Sequence, residues 1–384
     1  AAAVSPMIAH ILGAQPKDRA NVRGVVRMGL WSVLALSLPL AVLLLCTKPL
    51  LIMLGQKPEL AMGASQFVFP LCFGLPFALG FQVLRNYATA LNRPNTSLIV
   101  MGLTVFFNAV GDYALIFGHF GAPRLGLVGS GIASACSYGF SFFAMVVVVY
   151  ATPTLRKYRM FRRFQRMDWP KLTELFKLGI PIGLTMIFEA MLFNASMLIM
   201  GTFGTEYVAA HQIALNVASI TFMVPLGIAL AATVRVGLAA GAGDQAGVRR
   251  AGYTAMIIGT GFMTVCAVVI GLFPHTIAGL YFAPTPHNVQ VISLVVSFLY
   301  LVAAFQVFDG LQVVGALTLR GLKDARAPMW IAGACYWLAG FPVCYLLGVT
   351  FDMKGLGIWI GLAFALLMAA VAMCSRFRYL TRDR

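Results

Sequence analysis

Apolar residues along this chain run in blocks of about 20 or more, separated by short stretches rich in Lys, Arg, Gly and Pro. Blocks of that length cross a hydrocarbon core of about 30 Å as helices. They predict spans near 27–53, 62–90, 96–118, 127–150, 171–200, 208–239, 250–273, 289–318, 327–349 and 355–375, after an apolar segment at 1–14 that is too short to span. Weak alternation within the blocks excludes an outer-membrane barrel. Gly55-Gln56-Lys57-Pro58 and Pro284-Thr285-Pro286 mark loops, while Pro39, Pro70, Pro76, Pro181, Pro225 and Pro342 fall inside spans and predict kinks. The one long polar connection, from Thr152 to Asp168, carries Arg156, Lys157, Arg159, Arg162, Arg163 and Arg166 and reads as a hinge between two halves.

The halves repeat. Gly13-Ala14-Gln15, then Asp18, Ala20, Val22 and Arg23, recurs as Gly241-Ala242-Gly243, then Asp244, Ala246, Val248 and Arg249. Leu91-Asn92-Arg93-Pro94 echoes Leu322-Lys323-Asp324-Ala325, and Gly126-Leu127 echoes Gly355-Leu356. Both copies of the first motif follow an outside-to-inside helix, so the repeats are parallel and their pseudo-axis lies along the membrane normal. The expected fold is an all-α polytopic membrane protein of two parallel six-helix repeats, twelve spans in all, with the first helix and part of the second lying upstream of this chain. Residues 1–151 form the amino-terminal lobe in this reading, 152–169 a basic cytoplasmic linker and 170–384 the carboxy-terminal lobe.

Composition changes the picture only through charge. With 60% apolar and 10% charged residues and a mean hydropathy of +0.87, a soluble domain is excluded. A net charge of +16 would suggest nucleic acid in a soluble protein, but 24 of the 28 Lys and Arg residues fall in alternate loops on one side. Only Lys48, Lys57, Arg124 and Lys354 fall on the other. The positive-inside rule makes the first side cytoplasmic, carboxy terminus included, with anionic lipid rather than nucleic acid as the partner. The seven cysteines lie singly in or at the ends of apolar spans, without CxxC spacing, and read as packing residues. P-loop, HExxH and GxSxG patterns are absent, which argues against an ATP-driven pump or an enzyme.

Of the twelve acidic residues only Asp112, Glu189 and Asp309 fall well inside spans. A charge there costs about 2.5–3.5 kcal/mol on insertion scales, so each is a candidate for binding a proton or sodium ion. Asp112 shares a helix face with Asn108 and Thr104, a line of oxygen ligands for a cation or, alternatively, a buried Asn–Asp pair joining two helices. Glu189 stands among Met186, Phe188 and Phe193, as a coupling carboxylate or as a protonated donor to a carbonyl. Asp309, flanked by Gln306 and Gln312, makes a polar stripe that faces either a water-lined cavity or an interhelical hydrogen-bond ladder. Gln212, Asn216 and Ser219 form a second stripe; Gln212 and Asn216, with Gln306, Phe305 and Ser134, are substrate-cleft candidates, and the stripe reads equally as polar residues placed for helix packing. The row Ser130, Ser134, Ser137 and Ser141 reads mainly as small residues for close packing. His211 is expected at the membrane interface. No metal cluster and no cofactor is expected beyond a coupling ion, H⁺ or Na⁺, held at Asp112 and Asn108 or at Glu189 and Asp309.

Several segments resemble the multidrug and toxic compound extrusion (MATE) family across almost the whole chain. They are Ser5-Pro6-Met7-Ile8-Ala9 through Leu12-Gly13-Ala14, Pro225-Leu226-Gly227 to Gly241-Ala242-Gly243, Ala210-His211-Gln212, Leu91-Asn92-Arg93-Pro94, and Gly126-Leu127-Val128-Gly129-Ser130-Gly131-Ile132-Ala133. The resemblance implies two six-helix lobes around a cleft that export lipophilic, often cationic, compounds in exchange for sodium ions or protons. In the family's NorM-like branch a Glu and an Asp on the seventh and tenth helices form a cation region, and Glu189 and Asp309 match them. An Asn–Asp pair on the fifth helix with a hydroxyl on the sixth matches Asn108, Asp112 and Ser134. Phe305 stands where NorM-like members can carry a Tyr. The expected protein is therefore a monomeric antiporter of the plasma (inner) membrane acting on small organic cations or drugs. The rivals are a lipid-linked oligosaccharide flippase, a truncated product that does not transport, and, more distantly, a membrane-embedded enzyme.

Overall fold

The computed structural model describes residues 1–161, 164–281 and 288–382; the loop expected at Pro284-Thr285-Pro286 and the basic residues Arg162, Arg163 and Arg384 lie outside them. Among the described residues the regular structure is helical throughout, and ten helices are long and apolar enough to cross a membrane. The chain folds as two compact units, Ala1–Phe176 and Lys177–Arg384.

The first unit holds α1 (Val4–Ala14), α2 (Arg19–Leu45), α3 (Thr47–Met53), α4 (Pro58–Ala90), α5 (Pro94–Phe117), α6 (Leu127–Ala151), α7 (Pro153–Arg156) and the first turns of α8 (Trp169–Phe203). Local chemistry sets several of these ends. The Asp18 carboxylate accepts the Asn21 amide at 3.0 Å and caps α2. Pro58 and Pro94 open α4 and α5 at positions whose amide has no intrahelical partner, and left-handed Gly118 closes α5 at φ 78°. The span expected at 27–53 is divided at Cys46 into α2 and α3, a break that continuous apolar sequence conceals. At the centre of the unit α4 packs on α6. A Cβ at Gly131 would collide with the Phe67 carbonyl oxygen, so only glycine permits that approach. Beyond it on α6, Ser137 and Ser141 donate to their own helix, at Ala133 O (2.7 Å) and Tyr138 O (2.8 Å), and so occupy little room against α4.

The second unit continues α8 and adds α9 (Thr205–Gly241), α10 (Gln245–Leu272), α11 (Pro274–Gly279), α12 (Val289–Gly321), α13 (Arg326–Thr350) and α14 (Lys354–Thr381). Asp244 accepts the Gly247 amide at 2.8 Å, so the aspartate repeated at 18 and 244 performs the same capping task in each unit. Helix α12 lies at the centre, packed on α9, α10 and α14. Within α13, residues Gly333–Gly340 and Leu346–Thr350 take the wider π-helical form, a feature that often accompanies functional sites. The core includes Phe298, Phe305, Tyr336 and Trp359, all below 2% exposure. His211 is fully buried, its ring edge-on to Trp359 at 5.3 Å, because α9 turns this position inward onto the indole of α14.

Candidate functional site

Glu189 on α8 and Asp309 on α12 line the same cavity, about 380 Å³ in volume, with Phe193, Phe222, Phe305, Gln212, Asn216 and Ser219 in its wall. Four contacts hold the helices that carry the carboxylates. A Cβ at Gly310 would stand 2.6 Å from Met263 Cγ, so the turn of α12 bearing Asp309 seats directly on α10. The carbonyl of Phe188, one residue before Glu189, accepts the Trp337 indole N–H at 3.3 Å and ties α8 to the π-helical part of α13. Phe193 meets Phe305 edge-on at 6.1 Å, and Phe305 meets Trp359 edge-on at 5.4 Å, which builds an aromatic wall of offset quadrupoles. Asn216 Oδ1 accepts the Tyr281 hydroxyl at 2.8 Å.

The electrostatics of this cavity involve two residues that sequence reading missed. Glu189 lies within electrostatic range of Asp309 and of Arg320, which is buried to 9% exposure in the last turn of α12. Tyr336, fully buried on α13, lies within range of Glu189, Asp309 and Arg320. The Tyr336 hydroxyl and Gln312 Oε1 are buried without a hydrogen-bond partner among the described residues. Two carboxylates sharing a low-dielectric cavity resist carrying two negative charges, and a proton or a monovalent cation relieves that repulsion. The oxygens at hand suit either. Arg320 had a signal in the sequence: it follows Asp309 by eleven residues, three helical turns, and so lies on nearly the same face. Tyr336 had none, since its inward direction depends on the π turns.

Gln306 is not a cavity residue as expected. It is fully buried, its Oε1 accepting the Thr221 hydroxyl at 2.9 Å and its Nε2 donating to Met263 O at 3.4 Å, so it joins α12 to α9 and α10. Of the stripe Gln306, Asp309 and Gln312, only Asp309 reaches the cavity wall.

In the first unit, Asp112 Oδ1 is buried without a hydrogen-bond partner on α5, with half-buried Asn108 one turn away. Thr104 donates to Val100 O at 2.7 Å, so its hydroxyl proton is engaged within α5. A Cβ at Gly111 would meet Ala133 Cβ at 3.2 Å, which brings the stretch of α5 around Asp112 against the stretch of α6 around half-buried Ser134. Among the described residues no hydrogen bond joins Asp112, Asn108 and Ser134.

Membrane-length helices around an interior carboxylate pair and an aromatic cavity define a polytopic membrane protein with a polar site in its core. A family profile described as MatE matches residues 1–114 and 181–346, and the chain belongs to this MATE family of transporters. A Mesorhizobium japonicum protein described as "Probable multidrug resistance protein NorM" is 43% identical over 384 residues, covering 100% of this chain and 82% of that protein. A Brucella suis protein of the same description is 41% identical over 377 residues, 98% of this chain and 80% of that protein. The fold is similar to the crystal structure of the eukaryotic MATE transporter AtDTX14, with a TM-score of 0.86 at 23% identity over 99% of this chain and 84% of that one.

Proposed function

We propose that this protein is a secondary antiporter that exports lipophilic organic cations by alternating access, driven by inward flow of protons or sodium ions. The observation that carries the reading is the placement of Glu189 and Asp309 in one cavity walled by Phe193, Phe222 and Phe305. Aromatic faces and carboxylates attract the same organic cation, and a proton or sodium ion competes for the carboxylates. Coupling follows from that competition, because each ligand shifts the inward- and outward-facing states only by its differential affinity for them. Asp112 with Asn108 supplies a second cation-binding candidate. The multidrug-resistance descriptions of the Mesorhizobium and Brucella relatives support the substrate class. The basic loops support an inner-membrane topology with a cytoplasmic carboxy terminus. A flippase for a pyrophosphate-linked lipid would need cations facing its substrate, and Arg320 is not part of the cavity wall.

The test is ethidium efflux from pump-deficient cells expressing the protein, wild type against Glu189→Gln, under separate proton and sodium gradients. Efflux that follows one gradient and disappears in the variant supports the antiporter and names the ion. A correctly inserted wild type that never moves ethidium under either gradient refutes the reading.

A further inference from the structure

The first unit carries a second cavity, about 800 Å³, lined by Arg19, Tyr150, Pro153, Arg156, Lys157, Arg159 and Phe161. Four of these seven residues are exposed cations and none is acidic. Among the described residues none of the four is paired with a carboxylate. The cavity is built rather than incidental. The Tyr87 hydroxyl donates to Leu155 O at 2.9 Å and anchors α7 from beneath, with Leu155 fully buried. Arg159, at a left-handed φ of 46°, reverses the chain and returns its amide to Arg156 O at 3.0 Å. Tyr150 stacks on Phe161 at 5.7 Å, Phe161 on Phe164 at 6.5 Å, and Phe164 on Trp31 at 5.4 Å, whose indole N–H donates to Phe164 O at 3.0 Å.

Its position selects the ligand. The cavity sits where α2 begins and α6 ends, at the level where membrane helices emerge into headgroups and aromatic residues gather. Below it on α6, Phe143, Val147 and Tyr150 are 57%, 64% and 51% exposed and succeed one another at i, i+4 and i+7. They form one apolar strip that leads from the bilayer up to the cations. A free phosphate would use the cations and ignore the strip, whereas a phospholipid uses both. We propose that this cavity binds the headgroup of an anionic phospholipid, Arg19, Arg156, Lys157 and Arg159 holding its phosphodiester and the α6 strip holding an acyl chain.

The test is native mass spectrometry of the purified full chain in detergent, titrated with phosphatidylglycerol, with phosphatidylcholine, or with inorganic phosphate as competitor. The variants are Arg156→Gln/Lys157→Gln/Arg159→Gln, the charge-keeping Arg156→Lys/Arg159→Lys, and Arg19→Gln at the start of α2. Arg376→Gln/Arg378→Gln/Arg382→Gln serves as a charge-matched control elsewhere. The expected result is preferential retention of phosphatidylglycerol, weakened on the order of a hundredfold in the triple Gln variant and several-fold in Arg19→Gln. The Lys variant and the control triple should retain it. Equal loss in both triples, equal retention of phosphatidylcholine, or displacement of phosphatidylglycerol by millimolar phosphate would each overturn the assignment. Should the triple variant fail to fold, Arg19→Gln alone decides between the two outcomes.

Discussion

Asp309→Asn separates a carboxylate kept for binding a cation from one that holds helices together. Asp309 is 6% exposed inside a membrane-spanning helix, has no hydrogen-bond partner among the described residues, and shares its cavity with Glu189. Burying a carboxylate at mid-membrane costs about 2.5–3.5 kcal/mol on insertion scales. Asn keeps the shape and removes both the charge and its repulsion with Glu189. A buried Asn amide costs about 1–3 kcal/mol of its own, so the substitution should stabilise the protein by about 1 kcal/mol, and at about 2–4 °C per kcal/mol for a unit of this size the unfolding midpoint should rise by a few degrees. Ethidium efflux should be lost at the same time, a trade common where an unfavourable site is kept for function. Tryptophan-fluorescence melts in detergent at pH 8 give the first quantity and cell efflux the second. If Glu189 and Asp309 act as one site, Glu189→Gln/Asp309→Asn should transport no worse than either single variant. A fall in midpoint of more than a few degrees for Asp309→Asn would refute the reasoning and make Asp309 a rung in an interhelical hydrogen-bond ladder.

Gly131→Val should destabilise the first unit by at least about 1–3 kcal/mol, since even its Cβ collides with the Phe67 carbonyl; Gly139→Ala, with nothing within 4 Å, is the neutral control in the same melt. Asp244→Ala should cost about 1 kcal/mol through the lost cap of α10, and Asp244→Ser should recover most of it. Asp168 gives an acid-side prediction. Burial alone would raise its carboxyl, but the side chain and backbone amide of Lys171 and the charge of Arg27 outweigh that and hold it below the usual carboxylate range. Its stabilisation is thus present above the unfolded value and is lost as pH falls through the lowered folded value, below about pH 4. Because the pair is partly solvated it contributes at most about 1 kcal/mol, and Asp168→Asn should lower the midpoint at pH 7 while leaving it unchanged near pH 2.

The bilayer makes much of this fold legible. A span expected at 127–150 is the helix Leu127–Ala151, and one expected at 208–239 is Thr205–Gly241, because the hydrocarbon thickness demands a block of that length. Ends are less legible: α10 begins at Gln245, ahead of Arg249 and Arg250, since a helix capped by Asp244 continues through polar turns that hydropathy treats as loop. The break at Cys46 left no trace for the same reason, apolar composition recording depth in the membrane rather than chain direction. The cost of charge in lipid singled out Glu189 and Asp309, which do share a cavity, whereas Gln306 and Asp309, three residues apart, turn to different neighbours. Spacing along one helix cannot say which flank of the stripe meets a cavity and which meets α9 and α10. Proton and sodium ask for the same oxygens, so the identity of the coupling ion was never written in residue types.

The π turns of α13 have a consequence for how this chain tolerates insertion and deletion. A π turn holds more residues than an α turn, so the stretch Gly333–Gly340 carries slack. Loss of one residue there can be absorbed by tightening toward α geometry, with the remainder of the helix kept in phase. The same loss between Gly310 and Gly321 would swing every later position on α12 by about 100° and turn Arg320 away from Glu189. Length changes in relatives should therefore collect in α13 and avoid α12, a pattern set by backbone geometry before any side chain is considered.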